Sequence, residues 1–123
     1  MKDIAYRAFL KYARLGLNKR NLSAAGAAAY ICGCSASPAE AVRLLAVYDT
    51  LRVLRAEGRG ECADAISFVY FSKKGKVLRK NDISLAVRRF AFMNHLDDRT
   101  VWRRIEQARK LYYSLVEEQL LCL

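Results

Sequence analysis

Residues 97–115 read DDRTVWRRIEQARKLYYSL, and this stretch limits the fold more than any other. On a helical wheel of about 100° per residue, Val101, Ile105, Ala108, Tyr112 and Leu115 fall within about 40° of one line. Arg99, Arg103, Glu106 and Lys110 fall on the opposite side, with Trp102 and Arg109 at one flank. Such a pattern cannot alternate as a strand. It predicts one long amphipathic helix from Asp98 to about residue 120, with Asp97 as its cap and Asp98 in a first turn that favours acids.

The rest of the chain punctuates itself in the same way. Ile4, Ala8, Tyr12 and Leu15, with Phe9 beside them, recur at helical spacing over residues 3–17, and Arg7, Lys11 and Arg14 fall on the other side. Gly16, Asn18 and Asn21 mark an ending. Ser23 is placed to cap an alanine-rich helix over residues 24–32 that stops near Gly33. In Ser35-Ala36-Ser37-Pro38-Ala39-Glu40, serine, proline and glutamate stand where a helix start wants its cap, first residue and third residue. A helix should run from there to about residue 57, burying Val42, Leu45, Tyr48, Leu51 and Val53 or Leu54. Gly58-Arg59-Gly60 breaks it and reads as a linker.

Residues 61–71 read as helix, with Cys62, Ile66, Val69 and Tyr70 on one side. The run SFVYF also suits a strand, but no partner strand is evident. Phe68, Tyr70 and Phe71 are better placed to fill a core than to stack on bases. Residues 72–81 (SKKGKVLRKN) form a basic connector that turns at Gly75, and Asn81 or Asp82 can cap a helix over residues 83–94. The expected fold is an all-α helical bundle ending in a helix-turn-helix. It divides into an N-terminal helical part, residues 1–58, and a C-terminal unit, residues 61–123.

Charge narrows the function. Lys and Arg number 22 against 12 Asp and Glu, a net charge of +10, and 54% of the chain is hydrophobic. That composition excludes a disordered chain and points to an anionic partner, nucleic acid ahead of a membrane surface. The excess is concentrated: residues 73–110 hold twelve basic residues against four acids. No signal peptide and no run of about 20 apolar residues is present, so a cytoplasmic protein with no membrane partner is expected.

Enzymatic signals are weak. His95 is the one histidine, no nucleophile or carboxylate is nominated beside it, and no phosphate-loop or dinucleotide motif occurs. The cysteines Cys32, Cys34, Cys62 and Cys122 lack zinc-knuckle spacing, so no metal and no cofactor is expected, and buried reduced thiols are the default. The chain is not expected to be an enzyme.

Ile83, Val87, Phe90 and Ala91 give the helix before the turn its own seam, joined to the next by Asn94-His95-Leu96-Asp97. Ala91 leaves room for close approach, Leu96 plugs the turn, and Val101 with Ile105 completes a small core. Two helices so joined have the packing pattern of a helix-turn-helix. The string from Ala91 through Leu96-Asp97-Asp98-Arg99-Thr100-Val101 to Ile105 and Ala108 resembles the helix-turn-helix of bacterial sigma factor region 4. It is also similar to phage late transcription regulators of the ArpU kind. The likeness covers about twenty residues firmly. Where that family commonly has glycine in the turn, this chain has Asn94-His95, and asparagine tolerates the left-handed conformation. The connector is also longer and more basic than in compact versions.

The resemblance implies a bacterial or phage DNA-binding transcription regulator whose recognition helix begins near Asp98. It would place Arg99, Trp102, Arg103 and Glu106 against base edges of double-stranded DNA. Arg88, Arg89, Thr100, Arg104 and the basic connector would meet phosphates, and Lys110 completes the set. The N-terminal part would then pair two protomers as a homodimer or dock on RNA polymerase. Plainer roles stand beside these: Arg104 can snorkel along the seam, and Glu106 can pair with Arg103 or Lys110. The alternative function is a protein-interaction module whose basic face meets an acidic partner protein.

Overall fold

A computed structural model describes residues 4–71 and 80–121, with the side chains of Lys80, Leu120 and Leu121 left aside. Among these residues there are six α-helices and no strand, so the chain is an all-α helical bundle. The helices are α1 (Ile4–Arg14), α2 (Ala24–Cys34), α3 (Pro38–Ala56), α4 (Gly60–Ile66), α5 (Lys80–Met93) and α6 (Asp98–Leu121). A 3-10 turn, Leu17–Lys19, follows α1, and a π-helical turn, Ser67–Phe71, continues α4.

The caps act where the residue types place them. Ser23 Oγ accepts from the Gly26 amide at 3.1 Å, and Ser37 Oγ accepts from the Glu40 amide at 3.2 Å with Pro38 first in α3. Each satisfies an amide that the helix itself leaves open. Gly16, at φ 74°, turns the chain out of α1, and Gly58, at φ 77°, ends α3. At the second site Arg59 N donates to Leu54 O at 2.7 Å and Gly58 N to Arg55 O at 3.3 Å, the paired bonds of a left-handed helix stop. Gly58-Arg59-Gly60 is thus a tight corner. The buried core runs continuously from α1 to α6 across it.

Two expected faces need correction. In α1 the buried residues are Ala5, Ala8, Phe9 and Tyr12, while Ile4 is exposed and Leu15 half-buried. In α3 the fully buried residues are Leu44, Ala46, Val47, Thr50 and Leu54, whereas Val42, Leu45, Tyr48, Leu51 and Val53 are partly covered. The reason is position: α3 packs against α1, α2, α4 and α6 at once, so no single stripe carries its burial. Thr50, inside this core, satisfies its hydroxyl by donating to Ala46 O at 2.7 Å.

The aromatic run after α4 is helical, and it fills the core. Phe9 stands 5.6 Å from Tyr70 and 5.7 Å from Tyr112 between ring centroids, and Tyr6 stacks on Tyr70 at 5.4 Å. Tilted and edge contacts of this kind suit the ring quadrupole, and each ring removes on the order of 150–250 Å² from water. Phe9, Tyr70 and Tyr112 thereby lock α1, the π-helical turn and α6 together.

The distal half of α6 is tied to the bundle as well. Gln119 Nε2 donates to Asp49 Oδ2 of α3 at 2.9 Å, and the Ala5 amide donates to Tyr113 Oη at 3.4 Å. No helix among the described residues is long and apolar enough to cross a membrane.

Candidate nucleic-acid interface

The hairpin of α5 and α6 is built as its two seams require. Val87, Phe90 and Ala91 of α5 and Val101, Ile105, Ala108 and Tyr112 of α6 are buried, with Ile83 and Leu115 half-buried at the ends. Helix α5 begins at Lys80, three residues ahead of the expected start, so Asn81 and Asp82 lie within its first turn.

Four residues join the helices, and the strained one is His95. His95 has φ 56°, the left-handed conformation that the sequence had suggested for Asn94. Leu96 N donates to Ala91 O at 2.8 Å and His95 N to Phe92 O at 3.3 Å, so histidine occupies the position where helix stops prefer glycine. Asn94 acts differently: its Nδ2 donates to Phe90 O at 2.8 Å and covers one of the carbonyls that the ending helix leaves open. Asp97 then caps α6 as expected, Oδ1 accepting from the Arg99 amide at 3.3 Å.

Burial sorts the candidate residues on α6. Arg99, Trp102, Arg103 and Lys110 are exposed, so neither the N-terminal helices nor α5 covers them. Among the described residues Arg99, Arg103 and Lys110 are in ion-pair contact with no acid. Glu106, on the same face, is held by Arg109, whose Nε and terminal nitrogen donate to its two oxygens at 2.9 and 2.6 Å. Among the described residues Glu106 thus pairs with Arg109, and not with Arg103 or Lys110. A carboxylate clamped in this fork has less freedom to accept from a cytosine amine.

Thr100 and Arg104 are half-covered and sit apart from that row. Arg104 carries its charge near the thiol of Cys62 on α4. Burial pushes that thiol up, and the positive charges of Arg59 and Arg104 act against the shift. The Cys62 thiol donates to Gln107 Oε1 at 3.5 Å, a further tie between α4 and α6.

On α5, Arg88 and Arg89 are exposed, and Arg88 Nε lies 3.9 Å from Asp98 Oδ2. Asp97 and Asp98 place negative charge at the start of α6, so its open amides are poor phosphate seats. The exposed basic side chains along the helix side, Arg99, Arg103 and Lys110, are better placed to meet an anion than that terminus is. Residues 72–79 of the expected connector lie outside the described residues, and its last two, Lys80 and Asn81, belong to α5.

Leu85, Phe92 and Met93 are exposed on α5 by 55%, 83% and 58%, and none of them belongs to a motif of the sequence. Their signal was present: all three stand off the seam of Ile83, Val87, Phe90 and Ala91. Among the described residues no group of His, Cys, Asp and Glu is arranged to hold a metal ion. Cys32 and Cys34 are exposed, contrary to the expectation of buried thiols, and Cys62 is buried. They lie in the last turn of the alanine-rich α2, which is buried only along Ala27 and Ile31.

No protein-family model, no curated protein and no solved structure matches the chain.

Proposed function

We propose that the chain binds double-stranded DNA through the exposed side of α6 and acts as a transcription regulator of the helix-turn-helix kind. Support comes chiefly from one observation: Arg99, Arg103 and Lys110 are exposed in a row while the opposite seam of α6 is buried. A helix entering the major groove needs that division, with rigid backing and long donors on the open side. Arg99 and Arg103, one turn apart in the first half of α6, can each donate two hydrogen bonds to a guanine edge. Trp102, half-exposed beside them, offers an apolar contact for a thymine methyl group. Lys110, farther along, suits a phosphate. The net charge of +10 would draw the chain to duplex DNA of any sequence before a specific site is found.

Selection from a random duplex pool tests the proposal. The wild-type chain should enrich a short motif containing guanine, and the chain carrying Arg99→Ala and Arg103→Ala should not. Failure to enrich any motif, or the same motif from both proteins, would refute it.

A further inference from the structure

The outer face of α5 carries a feature that DNA binding does not use. On the helical wheel Leu85 and Phe92 lie opposite the buried seam of Val87 and Phe90, seven residues apart and so on one line about 10 Å long. Phe92 is 83% exposed, an unusual state for a phenylalanine in a structured helix. Arg88 and Arg89 flank the line on its two sides, both exposed. Asn81, Ser84 and Arg88 surround Leu85 at one end of the line, on an open and shallow stretch of surface.

We propose that this face of α5 is a docking surface for an acidic amphipathic helix of a partner protein. Three physical facts select that occupant. Duplex DNA would answer the arginines but leave Phe92 and Leu85 in water, since its backbone offers no apolar surface. A second copy related by a twofold axis would set Arg88 and Arg89 against the same two residues. The acids at the border are Asp82 and Asp98, and Arg88 already reaches the latter at 3.9 Å. A bilayer would bury only the short Leu85–Phe92 line, and membrane binding scales with the apolar area buried. An amphipathic helix with apolar residues at i, i+3 or i+4, and i+7 matches the Leu85–Phe92 line. Asp or Glu on its flanks would meet Arg88 and Arg89 in charge-assisted hydrogen bonds. The net charge of +10 would also speed its arrival.

The test is a displayed library of random helix-forming peptides, selected on the full chain. Enriched peptides should be net negative, with apolar residues at helical spacing, and should bind Leu85→Ser/Phe92→Ser at least about tenfold more weakly. Arg88→Glu/Arg89→Glu should lose the acidic peptides as well. Both pairs are exposed, and an unchanged circular-dichroism melt would show that the fold is kept. No enrichment, or peptides that bind the Ser variant equally well, would overturn the proposal. So would self-association, or binding to phosphatidylserine vesicles, that disappears in the Ser variant, because the occupant would then be a second copy or a membrane. Duplex affinity is measured in parallel and should be unchanged in the Ser variant. A failure of docking therefore stays distinct from a failure of DNA binding.

Discussion

The Leu96 amide donates to the Ala91 carbonyl at 2.8 Å, closing α5 across a histidine held at φ 56°. A side chain in the left-handed region costs on the order of 1–2 kcal/mol, and glycine there escapes that cost while losing part of the gain to chain entropy. His95→Gly should therefore raise stability by about 0.5–1 kcal/mol. His95→Val, branched at Cβ, should lower it. Urea midpoints for the two variants decide the matter, and a destabilised glycine variant would mean that the imidazole supports the turn.

Ser37 closes the first turn of α3 on the Glu40 amide. Replacing it by alanine leaves that amide to water and should cost about 1 kcal/mol, whereas Ser37→Asp should keep the cap. Chemical denaturation of both variants checks this. Because α3 is the helix that most others pack on, the loss should appear as lower global stability, with no separate local transition.

Much of the fold was legible from such local chemistry. Ser23, Ser37 and Asp97 cap helices because capping involves residues only two or three apart, and α6 was readable because one seam serves its whole length. The buried side of α3 was not, since four neighbours surround it and its pattern reports no single direction. His95 was missed because the register of the turn depends on where α5 stops. That stop is set by the Ala91–Leu96 bond, which residue type alone does not reveal. At the candidate site the exposed side of Arg99, Arg103 and Lys110 followed from the wheel. The Arg109 clamp on Glu106 is a choice among several basic neighbours within reach. The apolar outer face of α5 was not legible, because residue type alone does not tell an exposed leucine or phenylalanine from a buried one.

Tyr12 gives the chain an alkaline limit. Its phenol is buried, and burial, with Tyr48 and Asp49 nearby, raises it from 10.0 to about 12. Folding thus favours the protonated phenol. The contribution is whole below pH 10, where the unfolded chain also keeps its proton, and is lost as pH rises from 10 to about 12. Wild-type stability should fall by on the order of 2 kcal/mol more than that of Tyr12→Phe over this window. Thermal melts at pH 9, 10, 11 and 12 compare the two, and parallel declines would contradict the assignment.

The thiols should separate by accessibility. Cys32 and Cys34 are exposed, whereas Cys62 is buried with its thiol pushed up by that burial. Since the thiolate is the reacting species, iodoacetamide at pH 7 should label the peptide bearing Cys32 and Cys34 first. Cys62 should react at a comparable rate only after unfolding. Mass spectrometry over time reads both, and fast labelling of Cys62 in the folded chain would show that α4 opens from α6.

DNA contact by the exposed row of α6 is the central claim, and the salt dependence of binding tests it most directly. Affinity for a random duplex should fall steeply as salt rises, with a logarithmic slope of about −0.9 for each phosphate neutralised. Arg99→Ala with Arg103→Ala should weaken binding, and Lys110→Ala should make the slope shallower by about one. A flat salt response in the wild-type chain, or unchanged affinity and slope in both variants, would contradict the account.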